Sequence, residues 1–251
     1  MLNRPEEFDR MAQVEGEHWW YRALHQLVAD ATALHPRRRQ ARVLDAGCGA
    51  GGLLQFLRAL GFPHLSGFDI SETALELCRQ RGLPVIKGDL REAERMAAAE
   101  SQEVIVSNDT LYFFTPAEQE EIVDGLRRLL APGGLLVLNL PALKAFRGRH
   151  DLAVGIRQRF SRADIGRLLK PARFELCRAC FWPFWLAPAI YGARLAQRCR
   201  LRLDPALEIK SDLWLPPRWL NAGLARLTRW ENAWLPWKPL GSSLFLVARK
   251  R

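Results

Sequence analysis

The 251-residue sequence has no apolar run long enough to cross a bilayer. The apolar run Phe181–Ala193 has thirteen residues and contains Pro183 and Pro188, whereas a spanning helix needs about 20. The N-terminus is charged and lacks an apolar core, so no secretory signal is read there. Cysteine is scarce and odd in number: Cys48, Cys78, Cys177, Cys180 and Cys199 cannot all pair, which points to reduced thiols and a cytoplasmic location. Cys177-x-x-Cys180 has no second pair or histidine cluster beside it, and a structural zinc needs four ligands, so no metal is expected. Acidic residues are scarce only in the second part. Residues 1–140 hold 15 Lys+Arg and 20 Asp+Glu, and residues 141–251 hold 22 and 7. An anionic partner would explain that basic surplus; so would arginine-rich coding.

The most specific stretch present is Val43-Leu44-Asp45-Ala46-Gly47-Cys48-Gly49-Ala50-Gly51-Gly52. A short apolar strand meets an acid, then alternating glycines, then a helix with Leu53, Leu54, Phe56, Leu57 and Leu60 on its apolar face. Glycine is needed where φ is positive or where backbone lies flat against a ligand. Such a turn is expected to offer backbone N–H groups, at a helix's positive end, to a small cofactor. Gly47-x-Gly49-x-x-Gly52, with Asp69 at ribose spacing, also satisfies the dinucleotide fingerprint, so an NAD(P)-dependent oxidoreductase is the alternative. Asp45 separates the two, because a carboxylate there repels a pyrophosphate. It suits S-adenosyl-L-methionine, whose near end carries an ammonium and a sulfonium.

Further strands are expected at Leu65–Asp69, with Ser71 as a helix N-cap, at Pro84–Leu90, at Val104–Asp109 and at Leu135–Leu140. A helix over 116–130 and the turn Ala131-Pro132-Gly133-Gly134 lie between the last two. Strands alternating with helices argue for a parallel, doubly wound sheet. Asp45, Asp69, Asp89 and Asp109 all fall at strand ends, around the cleft where such sheets bind ligands.

These motifs, in this order across residues 41–140, resemble the class I S-adenosylmethionine-dependent methyltransferases, in particular a bacterial subgroup of type 11/12. The subgroup likeness extends to His18–Arg22, Pro141–Leu143, His150-Asp151, Arg159–Arg162 and Pro239–Leu244. It implies an α/β fold: a doubly wound, Rossmann-like, mostly parallel seven-stranded sheet with helices on both faces, plus an aromatic helical insertion before the last strand. Expected divisions are an N-terminal helical segment (1–35), the cofactor-binding core (36–181), the insertion (182–240) and the last strand (241–251). The resemblance places Asp45, Gly47, Cys48, Gly49 and Gly51 against the methionine part of the cofactor. It puts Asp69 and Ile70 at the ribose, Asp89 and Leu90 at the adenine, and Asn108, Asp109 and Thr110 at the methyl-donating face. Many relatives carry a Glu-His pair where this chain has Tyr112-Phe113, so a base, if one is used, lies elsewhere or is Tyr112. A lapsed enzyme that only binds cofactor is a further alternative.

The catalytic candidates are His150 with Asp151, as base and orienting acid, and Tyr112. Arg147, Arg149, Arg157 and Arg159 around that loop are candidates for an anionic group on the acceptor. The insertion carries Trp182, Trp185, Trp214, Trp219, Trp230, Trp234 and Trp237, with Arg194, Arg198, Arg200 and Arg202. It reads as a lid over a hydrophobic channel, as a contact with an anionic membrane surface, or as both. Its arginines alternate with aliphatic runs, and no RNA-binding module is present, so nucleic acid is not expected. The expected protein is a cytoplasmic methyltransferase, peripheral to the inner membrane face, acting on oxygen or nitrogen of a small hydrophobic or anionic acceptor, lipid- or glycan-linked.

Overall fold

The computed structural model describes residues 5–203, 214–235 and 237–251. Residues 1–4 of the N-terminal segment, and 204–213 and 236 of the insertion, lie outside the described residues. In chain order the elements are α1 (Pro5–Val14), α2 (Trp19–Thr32), β1 (Val43–Ala46), α3 (Gly52–Ala59), β2 (Leu65–Asp69), α4 (Glu72–Gln80), β3 (Val85–Lys87) and β4 (Gln102–Asn108). There follow α5 (Pro116–Leu129), β5 (Leu130–Pro141), α6 (Arg149–Val154), α7 (Arg162–Leu168), β6 (Phe174–Trp182), α8 (Ala187–Leu203), α9 (Arg218–Trp234) and β7 (Ser243–Lys250).

The seven strands form one sheet in the order β3-β2-β1-β4-β5-β7-β6. The first five are parallel, and β7 runs antiparallel between β5 and β6. Successive side chains of a strand point to opposite faces, and both faces here are covered. Leu44, Ala46, Ile105, Leu136 and Leu138 pack with Ile122, Leu126 and Leu168 of α5 and α7. Val43, Val104, Val106, Leu135 and Val137 pack with Leu24, Leu27, Leu53 and Leu57 of α2 and α3. Strands buried on two sides read as continuous apolar runs, as these do.

Local signals behave as their chemistry requires. Ser71 Oγ accepts from Ala74 N and starts α4, and Thr115 with Glu118 forms a capping box before Pro116 of α5. One expectation shifts: the turn at 131–134 belongs to β5, which begins directly after α5 because Leu130 pairs with Gln102. Gly133 keeps a positive φ of 74° there, and the β4–β5 register shifts between Gln102 and Val104.

The chain order changes direction at β1, which has β2 on one side and β4 on the other. That switch point opens a crevice at the carboxyl ends of the strands. The segment after β6 is at the same edge, since Trp182 pairs with Ser243 and Ser243 with Pro141.

Candidate active site

The turn after β1 holds its shape through three glycines with positive φ: Gly47 at 81°, Gly49 at 53° and Gly51 at 85°. A Cβ on Gly47 would stand 2.5 Å from Thr110 Cγ2, and one on Gly51 2.5 Å from Leu83 Cδ1 and 2.8 Å from Cys78 Sγ. Its amides do not point outward as expected. Gly47 N and Cys48 N donate to Phe68 O, Gly49 N to Asp69 Oδ2 (2.9 Å), and Gly51 N to Cys48 O. Gly52 N, the first amide of α3, donates to the Glu15 carboxylate. A pyrophosphate site needs such amides free for phosphate. Here the chain uses them itself, and a carboxylate of its own occupies the anion position.

Acids surround this turn. Asp45 is 3% exposed, and burial, then Asp69, then Glu15 push its pKa up to about 8. Burial also raises Asp69, against hydrogen bonds from Ser71 N, Gly49 N and Ile70 N, and raises Glu15 despite Arg81. Arg81 is the counter-cation. It pairs with Glu15, reaches Ala50 O at 2.7 Å and Ala12 O at 3.0 Å, and so ties α1 to the glycine turn. Met11 of α1 lies over Gly49, with Cε 2.7 Å from where a Cβ would stand. The sequence carries no local sign of this cover, because Glu15 and Arg81 are 66 residues apart.

The remaining cofactor candidates line the same edge. Ile70 is exposed beside Asp69, and Leu90 is buried next to Gly47. Asp89 caps the turn at Leu90–Arg95, accepting from Arg91 N and from the Arg91 guanidinium. Burial raises its pKa, but those Arg91 bonds outweigh it and hold the group below the usual carboxylate range. Cys48 is buried against Cys78, which with burial drives its thiol pKa upward, so it stays a neutral lining group. Asn108 Oδ1 is buried with no hydrogen-bond partner. An orphaned acceptor at a strand end is a vacancy for a ligand's donor.

Beside it, Asp109 has a positive φ of 52°, strained for a non-glycine residue. Asn139 holds it from both sides: Nδ2 donates to Asp109 Oδ2 at 2.7 Å, and Asn139 O accepts from Asp109 N at 2.8 Å. Trp182 Nε1 donates to Asn139 Oδ1 at 2.9 Å, and the Trp182 ring stacks on Trp20 at 5.4 Å. Burial pushes the Asp109 pKa up to about 7, against Asn139 and Arg159. Asn139 is not among the site residues expected from sequence, although an amide inside the apolar run Leu135–Leu140 is itself a signal.

Tyr112 is buried, and burial, then Asp109, Tyr21 and Asp151 raise its pKa well above the ordinary value. It stays a phenol and can donate a hydrogen bond. Tyr21 and His18 of the α2 region join this cluster. His18 Nδ1 accepts from Trp20 N, and burial lowers its pKa to about 4, so it is neutral. His150 lies half-buried in α6. Asp151 is committed elsewhere: Arg159 donates to both of its oxygens, and Gly148 N to Oδ2. Arg159 also reaches Ala142 O and Ser242 O, so this buried pair fastens the loop before α6 to the start of β7. Arg147 and Arg157 are exposed. Cys177 is exposed and Cys180 buried in the core, so the two thiols occupy different environments.

Comparison with known proteins finds methyltransferase relatives for part of the chain. A family model described as a methyltransferase domain matches residues 43–134. Carboxy-S-adenosyl-L-methionine synthase of Chromohalobacter salexigens is 32% identical over 110 residues, 39% of either chain. A tRNA N(3)-methylcytidine methyltransferase of Drosophila melanogaster is 32% identical over 152 residues, 54% of this chain and 43% of that one. Both matches thus cover well under two thirds of the relatives' lengths. In fold, a SAM-dependent methyltransferase of Archaeoglobus fulgidus superposes with a TM-score of 0.57 at 16% identity, covering 90% of this chain and 94% of that one. Residues 43–134 are thus similar to a methyltransferase domain, and the seven-stranded sheet has the class I methyltransferase fold.

Proposed function

We propose that the protein transfers a methyl group from S-adenosyl-L-methionine to an oxygen or nitrogen of a small, lipid- or glycan-linked acceptor, working peripherally at the cytoplasmic face of a membrane. The observation that carries this reading is the surplus of buried carboxylate at the glycine turn: Asp45, Asp69 and Glu15 against Arg81 alone. A ligand whose ammonium and sulfonium outweigh its single carboxylate relieves that surplus; a dinucleotide, with two phosphate charges, worsens it. Gly47–Gly51, Asp45 and Asp69 would hold the methionine and ribose parts, and Asn108 Oδ1 offers an acceptor to a donor on the same ligand. When bound, the cofactor supplies an electrophilic methyl group on a sulfonium.

The chain's part is to align an acceptor and to take its proton. Asp109, with a pKa of about 7 and a carboxylate held by Asn139, is suited to take that proton near neutrality. Tyr112 donates a hydrogen bond that orients the acceptor. The Trp182–Asn139 bond ties the base to the root of the insertion, so a seated insertion and a positioned Asp109 go together. A hydrophobic acceptor is favoured by the half-buried aromatic groups at this edge, Tyr21 and Trp20.

Incubating a cell extract with methyl-labelled cofactor and the protein tests the reading. We expect one labelled small product, lost in Asp69→Ala. Binding of NADH without binding of S-adenosyl-L-methionine would overturn the cofactor assignment. Cofactor binding with no labelled product from any extract would instead favour a lapsed enzyme.

A further inference from the structure

The insertion exposes an unusual amount of tryptophan. Trp214, Trp219, Trp230, Trp234 and Trp237 are 59–77% exposed, and the Trp185 ring lies 5.9 Å from that of Trp230. Contiguous apolar patches on a protein surface mark something that covers them. Helix α9 is inverted relative to an ordinary surface helix. Its buried residues are Asn221, Thr228 and Glu231, while Trp219, Gly223, Arg226, Trp230 and Trp234 recur every three to four residues along its outer side.

The helix cannot simply roll over to hide them. Asn221 accepts from Trp19 N and donates to Glu17 O. Glu231 accepts from Phe184 N at 2.7 Å and Trp185 N at 2.8 Å, and pairs with the buried Lys238 at 3.3 Å. Rotation would bury arginines and leave each of these polar groups buried without its partner. The aromatic outer face is therefore the orientation the fold enforces.

The charge of that face selects what covers it. Arg218, Arg226 and Arg229 of α9 are exposed, as are Arg200 and Arg202 at the end of α8. Among the described residues of 182–240 the one acid is Glu231, and it is buried. A second copy would set these arginines against themselves. Tryptophan rings settle at the headgroup level of bilayers, and arginine meets lipid phosphates.

We propose that the outer face of α9, extended by Trp185, docks the protein on an anionic phospholipid surface. This deepens the lipid-linked reading of the acceptor and rests on it only for its purpose, since docking can succeed or fail without methyl transfer. The insertion that carries this face is rooted at the cleft edge, where it leaves the sheet at Trp182 and re-enters at Ser243.

Full-length protein sedimented with phosphatidylcholine–phosphatidylglycerol vesicles tests the proposal, with phosphatidylcholine vesicles alongside. We expect binding to the anionic vesicles, a blue shift of tryptophan emission, and loss of binding as salt rises. The triple variant Trp219→Ser/Trp230→Ser/Trp234→Ser and the double variant Arg226→Glu/Arg229→Glu should each bind about tenfold or more weakly, with melting temperatures unchanged. No sedimentation at low salt, equal binding to both vesicles, or unaltered binding by both variants overturns the proposal. So does a dimer in light scattering that the triple variant dissolves, or RNA binding in place of vesicle binding. Cofactor titration on the same preparation without lipid reports separately on the transfer reading.

Discussion

Asp45 sits where burial and two neighbouring acids hold its pKa at about 8, against an ordinary 3.8. Near neutrality it is mostly protonated until a cation arrives. Cofactor affinity should therefore rise between about pH 6 and 9, with a proton released on binding. Isothermal titration in two buffers of different ionisation heat reads that proton, and an unchanged heat would refute it. The stability sign follows from the same shift. An acid whose folded pKa lies above its unfolded value favours the fold below the unfolded value and loses that contribution as pH rises through the folded one. The melting temperature without cofactor should fall from about pH 4 to 8, and Asp45→Asn should flatten part of the fall. Asp109, at about 7, is the proposed base: kcat/KM should rise with pH through that value. Asp109→Asn should remove the limb and cost about 10²–10⁴ in rate. An Asp109→Asn enzyme with the original pH profile would assign the base elsewhere.

At the level of elements, α1 covers the glycine turn and Arg81 fastens it there. Arg81 joins Ala12 O, Ala50 O and Glu15, while Met11 rests on Gly49. Arg81→Ala leaves the Glu15 carboxylate buried without its cation and should cost about 1–3 kcal/mol. It should also speed cofactor dissociation about tenfold or more and raise hydrogen exchange across residues 8–14. The neighbouring Arg79→Ala removes exposed pairs to Glu72 and Glu76 and should cost under about 0.5 kcal/mol. Equal dissociation rates in the two variants would show that α1 does not gate the site.

For the whole molecule, the proposed cofactor site draws on α1, β1, β2 and β4, elements spread over the first half of the chain. A ligand binding only the folded state at a hundred times its Kd adds about 2.7 kcal/mol. In a chain of this length that raises the melting temperature by about 5–10 °C. S-adenosyl-L-methionine should produce that shift in a thermal scan and NADH should not. The polarity of the molecule is also global: residues 1–140 carry more acid than base and residues 141–251 more base than acid, a field that favours a cationic ligand at the first and an anionic surface at the second.

Much of this was legible in the sequence because it is local. Strand-end acids, alternating glycines, Ser71 and Thr115 as caps, and two-sided apolar runs each act within a few residues, so spacing alone determined the sheet class, the turn and Asp45 and Asp69 as its acids. What spacing could not supply is who uses each hydrogen bond. Only the tertiary structure spends the glycine-turn amides on Phe68, Asp69 and Glu15, commits Asp151 to Arg159, and links Asp109 through Asn139 to Trp182. It also turned α9 outward. A helix buries whichever face has its partners satisfied, and for α9 those partners, Trp19, Glu17, Phe184 and Lys238, come from distant or folded-back chain.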